Sequence, residues 1–202
     1  MDSAFWNNRY SEEAFAYGIK PNYFLKRMLP FSNTNQTMLF PAEGEGRNAV
    51  FAATKGWKVT AFDISEVGKE KALRLAASKL VTIQYDIADY ERFSYTSNSF
   101  DAVGLFFTHA SPAIFAMLCR KVSEVLKPGG ILFANLFSTN QLTKKTGGPK
   151  QADWLLTTQL MGGYFPDFHF QHLKETTINL QEGKYHNGLA SVIEVIAQKT
   201  AL

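Results

Sequence analysis

The sequence alternates short β-rich runs with helical stretches, and this alternation constrains the fold more than any other feature. Five β-rich runs are predicted at residues 37–40, 58–62, 80–85, 100–107 and 131–137. Helical patterns are predicted at residues 47–55, 66–78 and 112–126. Strands that alternate with helices in this way are typical of a parallel sheet covered by helices on both faces.

The character of the sequence changes after the fifth predicted strand. Residues 138–150 are polar and contain glycine, which indicates a long loop, and a short helix is predicted at 153–161. Two further β-rich runs, 173–180 and 189–198, are joined by a predicted hairpin loop at 182–188. The sequence therefore predicts a Rossmann-like α/β fold. Its seven-stranded sheet is mostly parallel, has helices on both faces and ends in a C-terminal antiparallel strand pair.

Length and composition exclude several classes of protein. A chain of 202 residues suits one domain, predicted over 1–202. Its 21 basic and 18 acidic residues give a formal charge of +3, too mild for a nucleic-acid partner. The single cysteine, Cys119, indicates a reducing cytoplasm. We expect no signal peptide and no membrane partner, because no apolar run reaches the roughly 20 residues of a membrane helix. The oligomeric state stays open.

A glycine-containing turn, residues 42–48, lies between the first predicted strand and its helix. Gly44 and Gly46 have no Cβ, so the backbone can be approached closely there. The helix that follows presents free N–H groups and a partial positive charge. The turn therefore predicts a site for a nucleotide or a carboxylate-bearing cofactor, and an ordinary tight turn is the alternative.

An acid at the end of the second predicted strand strengthens this interpretation. Asp63 follows Gly46 by 17 residues, and an acid at that position can accept hydrogen bonds from both ribose hydroxyls. The alternative is that Asp63 caps the next helix, a role for which Ser65 competes.

These motifs occur in the order found in class I S-adenosylmethionine-dependent methyltransferases, which the chain resembles over nearly its whole length. The residues that carry this resemblance are 39–46, Asp63, Asp86, 100–101 and 126–130. More narrowly, the chain resembles the tellurite-resistance and thiopurine methyltransferase-like branch. The residues that carry this second resemblance are 6–10, 43–49, 147–149 and 182–188.

The resemblance implies S-adenosyl-L-methionine as the cofactor and a small molecule as the methyl acceptor. Asp63 would hold the ribose hydroxyls, and Asp86 would accept a hydrogen bond from the adenine amino group. Phe106, Phe107 and Thr108 would lie near the sulfonium. The full set of implied cofactor-binding residues is Trp6, Tyr10, Glu43, Gly44, Glu45, Gly46, Asn48, Asp63, Ile64, Asp86, Ile87 and Phe106.

The chain departs from the family at the start of the glycine motif. The family often has an acid at the end of the first strand, two residues before the first glycine position, and here these places hold Phe40 and Ala42. That acid usually orders the turn and the amino group of the cofactor. Glu43 and Glu45 are candidates to replace it, and hydrogen bonding of these glutamates to solvent or to Arg47 is the alternative.

Three residues are candidates for contact with the acceptor. His109 follows the fourth strand at the sheet edge where ligands bind, so it is placed to orient a substrate or act as a base. Arg9 offers a fixed fork of donors for an anion, and His186 adds a donor when protonated. Each has a structural alternative: a polar strand end, a partner for a nearby acid, or a stabilised hairpin. We expect the pocket between the cap segment, residues 1–30, the insertion, residues 138–172, and the hairpin around His186.

The predicted activity is transfer of a methyl group to a soft nucleophile of the thiol, selenium, tellurium or halide type. Such a transfer needs alignment and exclusion of water more than acid–base chemistry. No metal site is predicted, because His169 and His172 lack further ligands at suitable spacing. One alternative is a non-catalytic S-adenosylmethionine-binding protein. Another is a nicotinamide-dependent oxidoreductase, whose Gly-x-Gly-x-x-Gly motif would require glycine at Ala49.

Overall fold

Residues 2–32 and 35–201, which this computed structural model describes, form a seven-stranded sheet with helices on both faces. The strands are β1 (Thr37–Pro41), β2 (Lys58–Asp63), β3 (Gln84–Ile87), β4 (Phe100–Phe106), β5 (Leu126–Phe137), β6 (Phe168–Glu182) and β7 (His186–Lys199). The helices are α1 (Ser3–Tyr10), α2 (Tyr23–Met28), α3 (Arg47–Thr54), α4 (Glu66–Ser78), α5 (Pro112–Val125) and α6 (Thr158–Tyr164).

The strand order confirms the predicted fold class. The order is β3-β2-β1-β4-β5-β7-β6, in which the first five strands pair in parallel. β7 is antiparallel to both β5 and β6, which gives the predicted C-terminal pair. β2 and β3 are added on one side of β1, whereas β4 and β5 are added on its other side, so the strand order reverses between β1 and β4. Ligands bind outside the carboxyl ends of strands at such a reversal, so this edge is where a site is expected.

Apolar clusters cover both faces of the sheet. One cluster joins α5 and α6 to side chains such as Phe62 and Leu105, and the other joins α2 and α3 to side chains such as Phe40 and Phe133. The central strands are therefore buried on both faces, which explains why they are continuous apolar runs in the sequence. No helix in residues 2–32 or 35–201 has both the length and the apolarity to cross a membrane.

The predicted position of the third strand is wrong. The strand was predicted at 80–85, but β3 begins at Gln84. Leu80 has a φ of 57° and is 94% exposed, and its N–H donates to the carbonyl of Ala77 at the end of α4. Val81 and Ile83 then pack against α4, so the apolar pattern of 80–83 reflects contact with a helix.

The insertion also differs from its prediction. The short helix predicted at 153–161 begins later, as α6 at Thr158, and two short 3-10 turns, Thr139–Thr143 and Ala152–Trp154, precede it. Thr157 sets the start of α6, because its hydroxyl accepts a hydrogen bond from the N–H of Leu160 at 3.1 Å. β6 and β7 begin earlier and end later than predicted, since their ladder continues through polar residues at the sheet edge.

Candidate active site

The turn between β1 and α3 is built on three residues with positive φ. Ala42, Gly44 and Gly46 have φ values of 51°, 61° and 86°. This left-handed region favours glycine, and it costs other residues about 1–2 kcal/mol. Ala42 occupies the first glycine position of the motif and still adopts this conformation. The turn therefore keeps the shape of a glycine motif although its first glycine is replaced.

Glu43 closes the beginning of α3 from within the turn. Its Oε1 accepts hydrogen bonds from the N–H groups of Asn48 and Ala49, each at 2.7 Å, and its Oε2 accepts from Asn48 Nδ2 at 3.4 Å. These backbone donors have no partner within the helix. Burial raises the pKa of Glu43 to about 7, against the effect of these hydrogen bonds. Two of the helix N–H groups that the sequence predicts to be free for a ligand are therefore used by Glu43.

Asp63 joins the turn to the start of α4. Its Oδ2 accepts a hydrogen bond from Gly44 N at 3.1 Å, and its Oδ1 accepts from Ser65 N at 2.9 Å. Ser65 is the residue that caps α4, because its hydroxyl accepts from Gly68 N at 3.0 Å. Burial raises the pKa of Asp63 to about 6. Asp63 thus stands at the carboxyl edge of the sheet as the hydrogen-bonding centre of the turn.

The space beside the two glycines is filled by protein. A Cβ at Gly44 would lie 2.5 Å from the hydroxyl of Tyr10, and a Cβ at Gly46 would lie 2.5 Å from Cβ of Ala72. The glycines therefore allow the cap segment and α4 to approach the turn closely. This differs from the sequence-based expectation that they leave room for a ligand.

A buried ion pair holds the cap segment on the turn. Lys71 Nζ lies 2.5 Å from Glu45 Oε1, and both side chains are 3% exposed or less. Lys71 also donates to the carbonyls of Glu12 and Ala14, each at 2.8 Å, while Glu45 Oε2 accepts from Ala16 N at 2.8 Å. The segment that follows α1 is thus fixed to both the glycine turn and α4.

Aromatic rings connect the turn to the C-terminal hairpin. Trp6 and Tyr10 stack with ring centroids 5.5 Å apart, and Tyr10 meets Tyr17 edge-on at 6.4 Å. The Tyr17 ring lies 4.5 Å from the imidazole of His186. Burial raises the pKa of Tyr10 well above its usual value, with the charge of Asp63 as the next cause. The cap segment therefore brings the β2 edge and the hairpin into one continuous site.

His186 lies among aromatic rings at the start of β7. Its ring centroid is 4.6 Å from that of Phe107 and 5.3 Å from that of Phe137. Nδ1 lies 3.4 Å from Glu182 Oε2. Burial lowers the pKa of His186, although Glu182 acts in the opposite direction. His186 is therefore neutral near pH 7 and lacks the additional donor that a protonated ring would offer an anionic acceptor.

Arg9 is held by aromatic side chains beside this histidine. Its Nη1 donates to the hydroxyl of Tyr17 at 3.1 Å, and its guanidinium lies 3.9 Å from the ring centroid of Tyr185. Within residues 2–32 and 35–201, none of the ion pairs includes Arg9. The structure therefore brings Arg9 and His186 together through Tyr17, in the region where we expected the acceptor pocket.

Two predicted cofactor contacts lie apart from this site. Asp86 pairs with Phe62 across β2 and β3, so its side chain points to the sheet face opposite that of Asp63. There Asp86 Oδ2 accepts a hydrogen bond from the hydroxyl of Tyr95 at 2.8 Å. Phe106 is a core residue, with its ring 6.2 Å from that of Phe40.

His109 uses both of its ring nitrogens within the fold. Nδ1 lies 3.0 Å from the carbonyl oxygen of Trp154, and Nε2 accepts a hydrogen bond from Phe137 N at 3.0 Å. Burial lowers the pKa of His109 to about 4. His109 thus ties the ends of β4 and β5 to a 3-10 turn of the insertion.

Sequence reasoning missed the positions of Tyr90 and of the Arg47 contact, and it placed Thr108 near the sulfonium without predicting its burial. Tyr90 lies near Asp63, since the charge of Asp63 adds to burial in raising the pKa of Tyr90. Thr108 is 1% exposed, and its hydroxyl has no hydrogen-bond partner in the described part of the chain. Arg47 Nη2 donates to Glu182 Oε2 at 2.9 Å. The Arg47 contact left one signal in the sequence: a cation in the first turn of a helix opposes the helix dipole and so needs an anionic partner.

Within residues 2–32 and 35–201, no three His, Cys, Asp or Glu side chains lie together in a way that could hold a metal ion.

Residues 41–130 match the family model described as a methyltransferase domain. A search of curated proteins found no match to the sequence.

Solved structures with the same fold cover almost the whole chain. One was described for the conversion of a disulfide bond into a thioacetal group during echinomycin biosynthesis; at 14% identity and a TM-score of 0.74, it covers 98% of this chain and 92% of that one. A S-adenosylmethionine-dependent methyltransferase from Methanosarcina mazei has 17% identity and a TM-score of 0.68, over 91% of this chain and 100% of that one. TehB from Haemophilus influenzae has 15% identity and a TM-score of 0.70, over 98% and 67% of the two chains.

These likenesses show the fold, and the family match is confined to residues 41–130. Residues 41–130 contain the turn, the Asp63 edge and β4, which is the part of the chain that forms the candidate cofactor site. The chain thus has the Rossmann-like fold of S-adenosylmethionine-dependent methyltransferases, and the match of residues 41–130 to a methyltransferase domain indicates S-adenosyl-L-methionine as the cofactor.

Proposed function

We propose that this chain transfers the methyl group of S-adenosyl-L-methionine to a small molecule held between the cap segment and the C-terminal hairpin. The observation that carries the proposal is the position of Asp63. Its carboxylate stands at the tip of β2, at the carboxyl edge of the sheet, and is joined by hydrogen bonds to the glycine turn. An acid at this place is suited to hold the two hydroxyls of a ribose.

Glu43 argues against the nicotinamide alternative. In dinucleotide-binding folds the pyrophosphate lies on the N–H groups at the start of the helix after the glycine turn. Here Glu43 occupies the N–H groups of Asn48 and Ala49. When ionised, its carboxylate also repels a phosphate. A cofactor without phosphate groups fits this helix start better than a dinucleotide.

The residues around the turn fit S-adenosyl-L-methionine. Ile64 is half-buried and Ile87 is 43% exposed beside Asp63, so both can pack against an adenine ring. The cofactor supplies a methyl group on a positively charged sulfur, whose leaving group is a neutral thioether.

The remaining residues of the site align the acceptor and exclude water. Trp6 and Tyr10 cover the turn, and Arg9 keeps guanidinium donors for an anionic group of the acceptor. The rings of Phe107 and Phe137 form an apolar wall suited to a polarizable atom such as sulfur. These contacts support a soft acceptor of the thiol, selenium, tellurium or halide type, as in the tellurite-resistance and thiopurine methyltransferase-like branch.

A panel of acceptors tests the proposed activity. The purified chain is incubated with S-adenosyl-L-methionine and thiol, selenium, tellurium and halide compounds, and S-adenosylhomocysteine is quantified. We expect production above the acceptor-free rate with at least one class. Tight binding of the cofactor without turnover of any acceptor would favour the non-catalytic alternative.

Replacement of Asp63 by alanine is expected to weaken binding of S-adenosylhomocysteine by about 1.5–3 kcal/mol, the scale of hydrogen bonds to a charged group. Asp86→Ala is the matched control, because Asp86 lies at the same edge on the opposite face. The Asp86→Ala variant should bind S-adenosylhomocysteine as tightly as the wild type does. Calorimetry measures both variants, and circular dichroism confirms that each is folded. Equal losses in the two variants would refute the assignment of Asp63 to the ribose.

The affinity for S-adenosylhomocysteine is also expected to depend on pH. Ribose hydroxyls donate to ionised Asp63, so binding lowers its pKa from the value of about 6 in the free protein. The association constant should therefore be constant above about pH 6 and fall up to tenfold per unit below it. Asp63→Asn should abolish this dependence, whereas Glu43→Gln should retain it. An affinity that stays constant down to about pH 5 in the wild type would contradict the proposed contact.

A further inference from the structure

Three buried polar side chains meet where the hairpin contacts the glycine turn. Glu182 at the end of β6 accepts a hydrogen bond from Arg47 Nη2 at 2.9 Å, and the same oxygen lies 3.4 Å from His186 Nδ1. Each of the three residues is at most 9% exposed. Arg47 belongs to the turn, so this contact links the hairpin directly to the candidate cofactor site.

The charges of this cluster leave His186 as a neutral imidazole beside a carboxylate. Burial opposes ionisation of Glu182, but the charge of Arg47 and the hydrogen bonds from His186 and Arg47 outweigh it and keep the pKa of Glu182 below its usual value. Burial, Arg47 and Arg9 all lower the pKa of His186. A neutral imidazole facing a carboxylate carries its proton on the nitrogen that faces it, here Nδ1.

The other ring nitrogen is therefore a free acceptor. In the part of the chain that the structure describes, no hydrogen bond involves Nε2 of His186, and this atom is not among the fully enclosed polar atoms. Gly147 packs closely against this ring, since a Cβ there would lie 2.9 Å from Cδ2 and 3.4 Å from Nε2. The rings of Tyr17, Phe107 and Phe137 fix the plane of the imidazole. Nε2 is thus held in one orientation without a protein partner.

We infer that His186 Nε2 accepts the proton of a protic methyl acceptor, with Glu182 as its positioning residue and Arg47 holding Glu182 in place. This inference rests on the proposed function. The proton moves from sulfur or oxygen of the acceptor to Nε2, and the electron pair of the broken bond stays on that atom. This pair forms the bond to the methyl carbon, and the pair of the former carbon–sulfur bond leaves with the thioether. The imidazolium is stabilised by Glu182 and returns its proton to water.

The inference extends the acceptor class beyond anions. A halide has no proton to lose, whereas an aliphatic thiol is mostly protonated at neutral pH, since a thiol of this kind has a pKa of about 8.5. His109 has both ring nitrogens occupied by hydrogen bonds within the fold, so it is not placed to accept this proton. The geometry therefore assigns aliphatic thiols and similar protic small molecules as acceptors that depend on His186.

Two probes separate this role from simple packing. His186→Ala is expected to lower turnover of 2-mercaptoethanol by about 10²–10⁴-fold, the range for general acid–base catalysis, and to leave turnover of iodide within a few-fold of the wild type. Added imidazole should restore part of the thiol activity. His169→Ala, an exposed histidine, is the control and should leave both rates unchanged. Equal losses with thiol and iodide in His186→Ala would overturn the inference.

The tautomer and pKa of His186 test its proposed role without any turnover. They do so even if neither probe is methylated, and that failure would count against the proposed function alone. In ¹⁵N spectra of the full chain with S-adenosylhomocysteine, we expect the His186 tautomer that is protonated on Nδ1, with a pKa below the usual histidine value. Glu182→Gln should lower that pKa further, since it removes the carboxylate that stabilises the imidazolium. A proton on Nε2, or a charged ring at neutral pH, would refute the proposed role of His186.

Discussion

Replacement of Lys71 by methionine is expected to lower the free energy of unfolding by about 3–5 kcal/mol, because it leaves a buried carboxylate without its partner. Lys71 is paired with Glu45 at 2.5 Å and donates to the carbonyls of Glu12 and Ala14. Methionine fills a similar volume but donates no hydrogen bond. We therefore expect both a lower stability and a cap segment that proteases cleave more readily after α1.

Lys184→Met is the matched control for this prediction. Lys184 also pairs with the cap segment, at 2.6 Å from Glu12 Oε1, but both side chains are more than half exposed. Exposed ion pairs contribute little to stability, so denaturant unfolding should not distinguish this variant from the wild type. If the two variants unfold at the same denaturant concentration, the buried pair does not hold the cap segment.

Replacement of Gly46 by alanine is expected to destabilise the fold by about 2–5 kcal/mol. The positive φ costs alanine about 1–2 kcal/mol, and overpacking costs about 1–3 kcal/mol. Gly46 has a φ of 86°, and an added Cβ would lie 2.5 Å from Cβ of Ala72 and 2.8 Å from its Cα. Because the clash involves backbone, a change of side-chain rotamer cannot relieve it. The contact between the glycine turn and α4 must therefore open.

Gly163→Ala provides the comparison. Gly163 lies in α6, and a Cβ there meets nothing within 4 Å, so alanine should stabilise the helix by about 0.5–1 kcal/mol. Equilibrium unfolding in urea measures both variants. A Gly46→Ala protein as stable as the wild type would show that the turn adapts, and that its packing on α4 is not needed for the fold.

The sequence predicted the parts of the fold that depend on local patterns. The order of strands and helices, the turn and the position of Asp63 at a strand tip follow from periodicity and glycine spacing. The third strand was placed at 80–85 because residues 80–83 are apolar, whereas β3 starts at Gln84. The side chain of Asp86 was assigned from the resemblance, without a sheet register. Only the pairing with Phe62 shows that it faces away from Asp63.

Contacts between distant residues could not be read from the sequence. Arg47 and Glu182 are 135 positions apart, and although a cation at the start of a helix indicates some anionic partner, no local pattern identifies Glu182 as that partner. The same is true of the contact between Lys71 and Glu12, which are 59 positions apart. Neither the neutral state of His186 nor the full use of both nitrogens of His109 follows from residue type. Both depend on burial and on partners that the folded chain supplies.

The central claim is that Asp63, at the edge of the glycine turn, holds the ribose of S-adenosyl-L-methionine and that the chain does not bind a dinucleotide. Isothermal titration calorimetry of the full chain with S-adenosylhomocysteine and with NAD tests it most directly. We expect micromolar binding of S-adenosylhomocysteine that weakens in the Asp63→Ala variant, and no binding of NAD, because Glu43 occupies the helix N–H groups. Clear binding of NAD without binding of S-adenosylhomocysteine would contradict the account.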